Sequence, residues 1–154
     1  MAKNLATKLK KILNEEFSSY LSKLAIVSEE KILKNFDNEK DADGEAFAKL
    51  EKYTQNEKRR LGYGGKKILQ REGDLKKSIK VIPNMSKKTL TIDSEKYGEY
   101  LHDGIRSKKS GIKKWKILDL PKELRPGGSK REDIFEKFST KFENRIIAIL
   151  QNIE

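Results

Sequence analysis

Between Leu5 and Phe36 apolar side chains recur at steps of three and four: Leu5, Leu9, Ile12, Leu13, Phe17, Leu21, Leu24, Ile32, Leu33 and Phe36. That spacing lays one stripe along a helix, so residues 1–36 are predicted to form a long N-terminal helix. Unbroken it would run about 45–50 Å at 1.5 Å per residue, long for a small domain, and a bend near Ala25–Ser28 is expected. Asp41-Ala42-Asp43-Gly44 reads as a turn. A weaker helical pattern around Phe47, Leu50 and Tyr53 covers residues 45–61. Gly62-Tyr63-Gly64-Gly65 ends it, because glycine loses too much backbone entropy in a helix.

The period then changes to two. Ile79 and Val81 flank Lys80, and Leu90 and Ile92 alternate with Thr89 and Thr91, the pattern of two half-buried strands joined through Pro83-Asn84. Tyr97 to Leu101 forms a short apolar element ending at Gly104. A basic loop follows over 105–114, with Gly111 inside it, and Trp115–Leu120 reads as a third strand closed by Pro121. In the last segment Phe135, Phe138, Phe142, Ile146, Ile149 and Ile153 fall at helical spacing. Ser129 with Glu132 reads as a capping box opening a C-terminal helix over 129–153. The expected architecture is α+β: one domain over 1–154, its long N-terminal helix and C-terminal helix packed on a small antiparallel sheet with a central β-hairpin.

Composition narrows the class. Hydrophobic residues make up 35% of the chain and charged residues 38%, enough for one modest core beneath much solvated surface. Such a domain hides more area by associating with its own copies. The chain has no cysteine, which excludes disulfides and thiolate metal sites. No apolar run reaches a membrane span or a signal-peptide core, so the protein is expected to stay in the cytosol or to leave inside a particle. The net charge of +11 is unevenly spread. Residues 58–88 hold eleven Lys/Arg against Glu72 and Asp74, and residues 106–116 hold six with no acid. Both segments read as loops or loop edges, suited to phosphates or an acidic partner. Lys58, Arg59, Arg60, Lys66, Lys67, Arg106, Lys108, Lys109, Lys113 and Lys114 are therefore the candidate interaction surface.

Catalytic patterns fail in turn. Gly65-Lys66 lacks the leading glycine and the trailing Ser/Thr of a phosphate loop. His102, the only histidine, has Asp103 beside it but no further histidine or cysteine to complete a metal site. Glu15-Glu16, Glu29-Glu30 and Glu132-Asp133 lie on helices among lysines, where ion pairing accounts for them. Tyr63 and Trp115 border the basic segments, yet no helix-turn-helix, RNA-recognition or zinc signature is present. No enzyme, metal or cofactor is expected.

Four segments, in order, carry a family likeness. Asp43-Gly44-Glu45-Ala46-Phe47-Ala48-Lys49-Leu50, with Thr54 and Lys58, comes first. Ile68-Leu69, Gly73-Asp74-Leu75 and Ser78-Ile79 form the second. Tyr97-Gly98-Glu99-Tyr100-Leu101-His102-Asp103-Gly104 is the third, and Leu124-Arg125-Pro126-Gly127-Gly128-Ser129 with Asp133-Ile134 the fourth. Together they resemble the phage virion-morphogenesis family, the tail-completion proteins of Mu-like phages and prophages. Phe47 stands where that family often has tryptophan, Gly98 replaces a small alanine, and Gly127 replaces an aromatic residue.

The resemblance implies a structural protein that completes the tail end and supports head–tail joining as an oligomeric ring. It implies partners in copies of itself and in tail-tube or head-connector proteins, with DNA in the channel as a further contact and no membrane. Its place would be the host bacterial cytoplasm during assembly, then the virion tail or neck. Gly44, Leu69, Gly73, Leu75, Ser78, Ile79, Tyr97, Gly104, Arg125 and Pro126 would be scaffold. Gly73 is expected to turn the chain into the first strand, and Arg125 to hold a carboxylate or carbonyls across an interface. The rival from the charge pattern is a nonspecific nucleic-acid-binding module using the basic loops.

Overall fold

The structure, a computed structural model, describes residues 2–107, 111–113 and 115–152. The long stripe forms one helix, α1 (Ala2–Asp37), with no interruption. The helix continues unbroken through Ala25–Ser28. Ser28 is fully buried, and its hydroxyl donates to the Leu24 carbonyl one turn back at 2.6 Å. The side chain is thereby satisfied without opening the helix.

After the turn at Asp41–Gly44 the chain is extended through Phe47, and helix begins only at α2 (Lys52–Arg60). Lys40 and Ala46 form an isolated antiparallel bridge, and the Phe47 amide donates to the Glu39 carbonyl at 2.7 Å. Phe47 is buried edge-on against Phe36, ring centres 5.6 Å apart. That contact overrides the weak helical period predicted for 45–51.

Gly73, at φ 85°, starts a one-turn helix, α3 (Asp74–Ser78), in place of a direct turn into a strand. The predicted hairpin follows as β1 (Lys80–Asn84) and β2 (Thr89–Asp93), antiparallel, with Val81 opposite Ile92. The outer edge of β1 is not free at Val81: its amide donates to Glu29 of α1 at 2.9 Å. Next comes α4 (Lys96–Asp103), closed by Gly104 at φ 108°.

The region expected to be a basic loop contains a second antiparallel pair, β3 (Ile105–Ser107) with β4 (Gly111–Lys113). Conversely, Trp115–Leu120 is not a strand. Trp115 and Ile117 are buried around an exposed Lys116, so the predicted alternation holds for burial. Lys116, however, takes φ 42°, which breaks extended pairing geometry. A 3₁₀ turn (Lys122–Leu124) leads into α5 (Ser129–Gln151). Gly128, not Ser129, occupies its N-cap, and no side chain caps it, so the capping box does not form.

The fold is α+β, with a long N-terminal helix, a C-terminal helix and an antiparallel hairpin. One core joins Ala25, Ile32 and Phe36 of α1 to Phe47, Leu75, Ile79, Val81, Trp115 and Ile117. A second joins Tyr20, Leu24 and Leu124 to Phe17, Ile134 and Phe138. The C-terminal helix packs mainly on α1 and the 3₁₀ turn. Leu90 of the hairpin joins that second cluster.

Candidate functional site

Three of the four motif segments meet at one groove of about 360 Å³. Leu50, Thr54 and Lys58 come from the first, Leu69, Gly73 and Leu75 from the second, Tyr97 and Leu101 from the third. Leu75 and Ile79 are buried in the main core, while Leu69 packs on its edge with its backbone at φ 60°. Ser78 ties the N-cap of α4 to the second segment: its hydroxyl donates to the Leu75 carbonyl at 2.7 Å and accepts the Glu95 amide at 3.0 Å. Gly98 is buried against both, since a Cβ there would lie 3.0 Å from Leu75 and 2.3 Å from the Ser94 hydroxyl. Partial desolvation, with Asp74 and Glu95 nearby, pushes the phenol of the half-exposed Tyr97 above its ordinary pKa.

The fourth segment joins through Arg125. Its guanidinium donates to Asp43 at 2.6 Å, to Asp119 at 3.2 Å and to the Leu120 carbonyl at 2.7 Å. Lys116 adds a second cation on Asp43 at 2.6 Å. Lys116 and Arg125 together hold the Asp43 carboxyl below its ordinary pKa. Gly44, at φ 86°, completes the turn in which Asp43 sits, and Asp41 accepts the amides of Asp43 and Glu45 at 2.9 Å each. Arg125 thus acts as a fork within its own chain, latching the fourth segment onto the first. Pro126 follows it, exposed.

The first basic segment is partly consumed by the fold. Lys58, half-buried, donates to the Lys66 and Lys67 carbonyls at 2.8 Å each, and burial lowers its pKa. Lys67 reaches the Asp37 carbonyl, and Arg60 pairs with Glu57 at 2.9 Å. Arg59 and Lys66 are exposed. Arg106 and Lys113 fall on the β3–β4 pair, and Lys108, Lys109 and Lys114 lie outside the described residues. His102 accepts the Leu118 amide at 3.1 Å through Nδ1. Among the described residues no three His, Cys, Asp or Glu side chains are grouped to hold a metal, and no helix is long and apolar enough to cross a membrane.

A family model described as the phage virion morphogenesis family matches residues 1–99. The chain belongs to that family. No curated protein and no solved structure matches it significantly. In this phage virion morphogenesis protein the match takes in α1, the first two motif segments and the β1–β2 hairpin, and it ends within α4. Membership gives the chain a structural or assembly role in the phage particle. Sequence reasoning did not foresee the Asp43–Lys116–Arg125–Asp119 cluster. Its signal was Asp43 at the head of one motif and Arg125 in another, with no spacing rule linking residues so far apart. It also missed Arg71 stacked 4.8 Å over the Tyr63 ring.

Proposed function

We propose that this protein is a non-catalytic component that completes the phage tail end and supports head–tail joining as an oligomeric ring. The family match carries the reading. What supports it in the fold is that Gly44, Phe47, Gly73, Leu75 and Ile79 serve turns and packing, while the surface keeps large apolar side chains such as Tyr53 and Tyr100 exposed. Exposed apolar groups among charges suit protein–protein contact. In this reading Arg59, Lys66 and the basic residues of 105–116 face an acidic tail subunit or DNA in the channel. Tail-tube and head-connector proteins are the partners.

The test is complementation in a lysate. Tails made without this protein should fail to join filled heads, and adding the purified chain should restore plaque-forming particles. Tails that join heads equally well without it would overturn the reading. If the chain instead binds duplex DNA alone, the affinity should fall by about 0.9 log units per phosphate contact per log unit of salt. Changing Lys108, Lys109, Lys113 and Lys114 to Glu would then abolish binding, and the nucleic-acid reading would take precedence.

A further inference from the structure

Residues 146–150, Ile-Ile-Ala-Ile-Leu, are apolar around the whole circumference of α5. Yet α5 has no fully buried residue along its length. A helix apolar on every side needs neighbours on more than one side. Here α5 runs antiparallel to the first half of α1: Arg145 lies on Glu15 and Glu16, and Phe138 packs on Phe17 and Tyr20. The two helices form an arm whose single seam leaves much apolar surface open.

Part of this apolar surface lies along one side of the arm. At about 100° per residue, Phe135, Phe142, Ile146 and Leu150 fall within roughly 80° of one another, beside the seam made by Phe138 and Arg145. Leu13 takes the corresponding flank of α1, about 60° from Glu16. Because the helices are antiparallel, both flanks turn to the same side of the arm. Leu13 is 41% exposed, and Phe135 and Leu150 are each 51% exposed. The edges of this groove differ in sign. On the α1 edge stand Lys3 and Lys10, on the α5 edge Glu136 and Glu143, all exposed. None of the four has an ion-pair partner among the described residues.

We propose that a second copy of this chain packs its own arm into the groove across a two-fold axis, with α1 beside the other copy's α5. Each basic edge then meets an acidic edge, and the four apolar flanks close into a four-helix bundle. An edge pattern of opposite signs on one surface is complementary to itself under that rotation, which selects a copy over an unrelated partner. The inference deepens the assembly reading and rests on it for the expectation that copies associate. It names the joining face, and a two-fold contact makes pairs, so a ring would use a further surface.

Sedimentation velocity of the full chain across a wide concentration range tests it. The expected result is a dimer that dissociates on dilution. Leu150→Glu should leave a folded monomer, its helicity checked by circular dichroism. Lys10→Glu or Glu143→Lys alone should weaken association by roughly three- to tenfold, and an equimolar mixture of the two variants should associate more tightly than either alone. A wild-type chain that stays monomeric, or a dimer indifferent to Leu150→Glu and to both charge reversals, overturns the proposal. Head-joining activity separates the two readings. An active monomer removes the arm interface alone, whereas an arm-dependent dimer without that activity keeps the interface and removes the tail role.

Discussion

Arg125 shows how a residue singled out from sequence acquires its role from partners distant in the chain. A guanidinium presents donors in a fixed plane, so it can hold Asp43, Asp119 and the Leu120 carbonyl at once. A lysine at this position reaches one of them. Arg125→Lys should therefore lower the urea midpoint by less than Arg125→Ala, yet fail to restore the wild-type value; equal stability of the lysine variant and the wild type would refute the latch. Gly128 is set by space. A Cβ there would lie 2.4 Å from the Glu123 carbonyl oxygen and 2.8 Å from that of Lys122, both backbone atoms that cannot rotate away. Gly128→Ala should cost about 1–3 kcal/mol, the usual range for forced overpacking, measured by urea unfolding. Neither constraint was legible in the sequence: Gly128 depends on where the 3₁₀ turn places its carbonyls, and Arg125 on Asp43, 82 residues away.

Among the elements, what the hydrophobic period disclosed was burial, and pairing followed only where a partner existed. The β1–β2 hairpin was legible because two alternating runs lay close together with a turn between them. Trp115 and Ile117 alternate in the same way, but their backbone is used differently: the Trp115 amide donates to Leu101 at 3.1 Å and the Leu118 amide to His102. The short β3–β4 pair has too few apolar positions to announce a period. At the junction of α1 and α5, the Glu16 carboxylate is buried between Arg145 and Lys141, and the Arg145 hydrogen bond holds its pKa below the ordinary value. The Val81 amide does the same for Glu29, and Lys76 for Asp37. A folded pKa below the unfolded one means this stabilisation is complete above the unfolded value, about pH 4, and is lost as pH falls through the folded values. The urea midpoint should stay level from neutrality to about pH 5 and then decline. Glu16→Gln should cost about 1–3 kcal/mol at neutral pH and progressively less in acid, where the wild type loses the same interaction. A penalty independent of pH would show that the charge of Glu16 is not what joins the helices.

At the scale of the whole molecule, the two ends of α1 live in different environments. Its second half lies on the main core, where Ile32 and Phe36 are almost wholly excluded from solvent. Residues 3–15 include none that is buried, and Arg145 of α5 ties this half to α5 through Glu15 and Glu16. Local opening costs least where few apolar contacts hold a segment, so the arm should open far more often than the body. Hydrogen exchange on a dilute sample should therefore find the amides of 4–13 and 144–151 exchanging much faster than those of 25–36 and the β1–β2 hairpin. Raising the protein concentration should slow exchange in the arm while leaving the body unchanged, because association stabilises only the state in which the arm is closed. Uniform protection along α1 in a monomeric sample would mean that the α1–α5 seam suffices by itself. The exposed flank would then be a surface that the particle covers with another protein.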